Sequence, residues 1–88
     1  MSADLTLDEL REQISAIDRG IFEAINARLR LVAQLKVVKL ESGLDFLDPE
    51  REAALFEARR RENGGPLSDE GLRAFYTELL ALVKRELP

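Results

Sequence analysis

The chain has 88 residues, a formal net charge of -4, and neither cysteine nor histidine. That composition excludes disulfides, zinc sites and every thiol or imidazole mechanism, leaving Arg, Lys, carboxylates, hydroxyls and backbone groups for any chemistry. An acidic total argues against general nucleic-acid binding, and no apolar run approaches the ~20 residues of a membrane span.

The N-terminal stretch MSADLTLDEL lacks the basic-then-apolar order of a signal peptide, so a cytoplasmic protein is expected. Thr6 with Glu9 three residues on has the spacing of a capping box and predicts a helix start. From there a seam runs at three-four spacing through Leu7, Leu10, Ile14, Ile17, Ile21, Ala24, Arg28, Leu31, Leu35 and Val38. Only Arg28 breaks it. The pattern continues to Gly43, a residue suited to the left-handed conformation that ends a helix. The predicted helix is roughly 37 residues, about 55 Å long.

A second helix of about 15 residues is expected from Asp48 as N-cap, Pro49 at the first helical position and acids in the first turn, ending at NGGP. Ser68 is the N-cap of a third helix of roughly 19 residues, with Leu72, Phe75, Tyr76, Leu79, Leu80, Val83 and Leu87 on one side. The expected class is all-α, with one long and two shorter helices in a single domain spanning residues 1–88. A helix of about 55 Å exceeds the diameter of a small domain, so its seam calls for a second chain: a symmetric dimer with antiparallel long helices. A monomeric three-helix bundle is the alternative.

Runs such as EARRREN and VKRELP have the character of solvated faces. Four basic residues do not. Arg28 stands in the seam, Arg11 and Lys39 flank it, and Arg51 falls in the first turn of the second helix. Arg28 and Lys39 are 11 residues apart, three turns on one side of the helix and about 16 Å along its axis, so both can reach a small anion between them. Arg11 lies 17 residues before Arg28, about 25 Å away, and joins them only from an antiparallel partner. Gly20 and Ala24 are small enough to permit a close crossing near residue 22. A purely structural role is the alternative: Arg28 paired with Asp18 or Glu52, setting dimer register. Against it, cations gathered with few facing acids repel one another unless an anion joins them.

LDELREQISAIDRGIFEAINARLRLVAQLKVVK followed by DPEREAAL resembles the all-helical (AroQ-type) chorismate mutases, through an L-x-x-L-R-x-x-I-D opening, an Arg and then a Lys on one helix, and an Arg-Glu pair at the second helix. The resemblance implies an intertwined homodimer with two sites at its interface, acting on the dianion chorismate without metal or cofactor. It implies that Arg11 from the other chain and Arg28 bind the two carboxylates, with Arg51 assisting. It also implies that Lys39 donates to the ether oxygen of the breaking C–O bond, and that Glu52, with backbone at Asp48, accepts from the substrate hydroxyl.

The last helix departs from that pattern, which usually has a Ser and, four residues later, a Gln or Glu. Val83 and Leu87 occupy the matching positions, and Glu86 lies about 100° round the helix from Leu87. A Glu86 that contacts the ether oxygen must be protonated, giving activity that falls as pH rises through its pKa. Two other functions share the scaffold: elimination of pyruvate from isochorismate, and a helical dimer module that binds a metabolite without turnover.

Overall fold

A computed structural model of the chain describes residues 5–45 and 48–88. Among these residues there are three helices and no strand: α1, Leu7–Glu41; α2, Pro49–Glu62; and α3, Asp69–Glu86. The expected class and helix order are those observed. The chain divides into two compact units, residues 1–32 and 33–88, with α1 running through both.

Local side-chain chemistry accounts for the helix ends. Thr6 Oγ1 accepts from the N–H of Glu9 at 3.1 Å, while Glu9 Oε1 accepts from the N–H of Thr6 at 3.2 Å. Two donors that no helical carbonyl reaches are thereby satisfied. These bonds hold the Glu9 carboxyl below the ordinary range. At the far end Gly43 has φ +72°, its N–H donates to Leu40 at 3.2 Å, and the N–H of Leu44 donates to the carbonyl of Lys39 at 2.8 Å. This paired closure needs a left-handed residue, which glycine adopts without a Cβ clash.

In the second unit α2 and α3 form an antiparallel pair. Lys84 Nζ lies 3.6 Å from Glu52 Oε2, and Arg60 Nη1 lies 3.9 Å from Asp69 Oδ2. Each contact joins an acid in the first turn of one helix to a base in the last turn of the other. Each charge therefore also complements the dipole of its own helix. Arg60 bonds Glu57 as well, at 2.9 Å, and that bond keeps the Glu57 carboxyl below the ordinary range.

The turn between these helices is organised by Asn63. Its Nδ2 donates to the Leu67 carbonyl at 2.7 Å, and its Oδ1 accepts from the Gly65 N–H at 3.1 Å. Ser68 Oγ then caps α3 by accepting from the N–H of Gly71 at 3.0 Å. Among the described residues Tyr76 and Val83, seven residues apart on α3, are the buried hydrophobic residues, and the Arg73 guanidinium stacks 4.2 Å from the centre of the Phe56 ring. Lys36, in the part of α1 belonging to this unit, donates through Nζ to the carbonyls of Leu87, at 3.4 Å, and Pro88. That contact ties α1 to the end of α3.

The long-helix seam stays in water within the single chain. Leu7, Leu10, Ile14, Ile17, Ile21, Leu31, Leu35 and Val38 are all between 43% and 65% exposed, and α1 has no buried residue. Each such side chain forgoes roughly half of the about 1.5–3 kcal/mol that full burial contributes.

Candidate active site

Lys39 is the basic residue of the last turn of α1. Because Leu44 binds its carbonyl, its backbone is held where helix passes into loop. Around it opens a concavity of about 620 Å³, lined by Lys39, Leu44, Asp45, Asp48, Pro49 and Glu50. Lys39 and Asp48 are thus brought to one surface. Asp48 is the N-cap of α2, with Oδ1 accepting from the N–H of Arg51 at 3.1 Å. Its carboxylate is committed to the cap, and its carbonyl accepts from the N–H of Glu52 at 3.0 Å.

Arg51 and Glu52 follow in the first turn. The Arg51 side chain is exposed, and that of Glu52 is half-buried against α3 through the contact with Lys84. Glu52, Arg73, Tyr76 and Leu80 are among the residues lining a second groove, of about 460 Å³, between α2 and α3. Glu86, the last residue of α3, is exposed. Val83 is 6% exposed and belongs to the core. Leu87 lies beyond the helix as its C-cap, with its N–H donating to the Val83 carbonyl at 2.9 Å.

Arg11 and Arg28 lie in the first unit. Arg11 is exposed near the start of α1. Arg28 is half-buried, and its Nη1 is fully buried without a hydrogen-bond partner. Among the described residues no ion pair includes Arg28, and Glu52 pairs with Lys84. Within the chain, neither Asp18 nor Glu52 pairs with Arg28. Leaving a buried donor of a charged group unsatisfied costs about 1–3 kcal/mol or more. An anion at that nitrogen removes the penalty, and a guanidinium suits a carboxylate because its planar fork matches two oxygens and stays charged when desolvated.

Lys84 was not among the residues singled out from sequence, where VKRELP reads as a solvated run. Its signal was helical spacing: it follows Leu80 by four positions and Thr77 by seven, and both line the groove facing α2. No group of three or more Asp or Glu among the described residues is arranged to hold a metal ion.

In the first unit Nη1 of Arg28 is buried without a hydrogen-bond partner, and in the second Lys39, Asp45, Asp48 and Glu50 line the concavity at the start of α2. The sequence model of chorismate mutase type II matches residues 10–86, and the chain belongs to that family. It is 37% identical over 86 residues to the T-protein of Haemophilus influenzae, covering 92% of this chain and 23% of that protein. With the T-protein of Enterobacter agglomerans it shares 42% over 62 residues, which is 70% of this chain and 16% of that one. A bifunctional chorismate mutase/prephenate dehydratase of Aquifex aeolicus is 34% identical over 79 residues, 85% of this chain and 22% of that protein. The chain therefore spans less than a quarter of the length of these relatives. The form I structure of chorismate mutase from Thermus thermophilus superposes with a TM-score of 0.85 at 30% identity, covering 88% of this chain and 96% of that one.

Proposed function

We propose that this chain is a chorismate mutase, catalysing the concerted rearrangement of chorismate to prephenate in aromatic amino-acid biosynthesis. The observation that carries the reading is the buried, unpartnered Nη1 of Arg28 in a chain of this family. Arg28 takes one substrate carboxylate, Arg11 of the partner subunit takes the other, and Arg51 assists in orienting them. The extended substrate is thereby held in the compact conformer that brings its reacting carbons together, and binding energy supplies the ordering.

The ether oxygen gains negative charge as the C–O bond lengthens. Lys39 donates to it, stabilising the transition state more than the bound substrate. Glu52, with backbone at Asp48, accepts from the substrate hydroxyl. A neutral Glu86 is a second donor to the ether oxygen only if the end of α3 shifts toward the site, and a flat rate profile from acid to neutral pH rules it out. No nucleophile, metal or cofactor takes part in this rearrangement.

The working unit in this proposal is a cytoplasmic homodimer. The exposed row from Leu7 to Val38 is the surface the partner covers, and the open space where a Cβ would stand on Gly20 favours a close approach of two long helices. A non-catalytic binding module is the second reading, favoured by the burial of Val83 and the capping position of Leu87, which leave both last-helix positions without a polar group.

The deciding experiment incubates purified protein with chorismate and, separately, isochorismate, and identifies the products. Prephenate supports the mutase. Pyruvate with salicylate establishes the lyase instead, and binding without turnover establishes the module.

A further inference from the structure

We propose that Lys84 is a positioning residue that aims the Glu52 carboxylate at the substrate hydroxyl; this rests on the mutase reading of Glu52. Lys84 Nζ stands 3.6 Å from Glu52 Oε2 across the gap between α3 and α2, two residues 32 positions apart in the chain. A glutamate alone rotates freely about its side-chain bonds, and an acceptor that wanders cannot hold a substrate hydroxyl in one place. The ammonium takes one carboxylate oxygen and leaves the other for the substrate.

The surroundings make this contact specific. The Glu52 side chain, which lines the groove between α2 and α3, is 32% exposed and that of Lys84 48%. Glu52 makes no second ion pair among the described residues. Val83 points into the core and Leu87 lies past the helix end. Lys84 is thus the polar side chain that the last turn of α3 directs to the first turn of α2. A partly exposed ion pair contributes little to folding stability, so substitution of Lys84 leaves a folded protein in which the functional effect can be read.

The test is a double-mutant cycle on chorismate turnover with Lys84→Met, Glu52→Gln and the two combined, alongside Lys84→Arg. Lys84→Met is expected to lower kcat/KM by about tenfold, chiefly in kcat, because the substrate still binds through its carboxylates. Lys84→Arg keeps the ion pair and is expected to restore most of the rate. In the Glu52→Gln background Lys84→Met should have no further effect, since the group it positions is gone. A Lys84→Met loss that persists undiminished in that background means that Lys84 acts independently of Glu52 and overturns the proposal. So does a loss that follows the folded fraction in urea titrations. Unmutated protein with no turnover overturns the mutase reading and this inference together; turnover with an unaffected Lys84→Met overturns this inference alone.

Discussion

The backbone N–H of Leu44 donates to the carbonyl of Lys39 at 2.8 Å, so the residue that ends α1 also fixes the ammonium-bearing residue of the candidate site. The closure depends on Gly43 at φ +72°. A Cβ there would meet nothing within 4 Å, so the cost of a side chain is conformational alone. Gly43→Ala is expected to destabilise by about 1–2 kcal/mol, and Gly43→Asn by less, because asparagine tolerates the left-handed region. Urea titrations at one fixed protein concentration measure both. Equal stability of all three proteins would show that the closure contributes nothing.

Arg28→Ala is expected to reduce kcat/KM by about 10²–10³-fold while helicity and oligomeric state are kept, because its buried nitrogen has no hydrogen-bond partner within the chain to lose. Arg28→Lys should recover little, since an ammonium cannot reproduce the bidentate fork. Steady-state kinetics with sedimentation analysis of the same samples decide it. Dissociation of the oligomer with unchanged activity per folded site would make Arg28 structural.

Lys39→Met is expected to act on the chemical step, lowering kcat by about 10²–10³-fold with a smaller change in KM, since in the proposed mechanism Lys39 meets charge that develops in the transition state. A rise in KM with kcat unchanged would show instead that Lys39 only binds substrate.

The apolar row of α1 predicts association. Ile17 is 65% exposed in the single chain, and Ile17→Lys places a charge in the middle of the row. The unaltered protein is expected to sediment as a dimer and the variant as a less helical monomer without activity, because the proposed site needs Arg11 of the partner subunit, which is lost with the interface. An unaltered protein that is monomeric at every concentration would remove the dimer, and with it the role of Arg11.

The capping box adds a pH dependence. The Glu9 carboxyl is held below its ordinary value of 4.5 in the folded chain, chiefly by the Thr6 hydrogen bonds. A lowered folded value means that the stabilisation is complete above the unfolded value and lost as pH falls through the folded one. Unaltered protein and Glu9→Gln should therefore differ in stability near neutrality and converge as pH falls below the ordinary carboxylate range. Denaturation at a series of pH values measures the gap. Thr6→Ala should cost about 1 kcal/mol near neutrality.

The helix ends were legible without coordinates, and so was the anomaly at Arg28. Thr6 with Glu9, Asp48 with Arg51, and Ser68 with Gly71 each close a contact over three residues. Such bonds depend only on residue type and helical spacing. A guanidinium in an apolar seam is likewise visible as a break in period. That no protein acceptor meets its Nη1 is a property of its surroundings, which the pattern of one helix does not contain.

Lys84 shows the limit most directly. It belongs to a charged run, and only the antiparallel packing of α2 on α3 turns it toward Glu52 while burying its neighbour Val83. By itself the sequence determined three helices, their caps, the apolar seam and the cations that interrupt or flank it, because those features arise from interactions within one or two turns. The tertiary structure alone decided which acid Lys84 meets and which α3 residue enters the core, because these contacts join residues far apart in the chain and arise when packing sets one helix face against another.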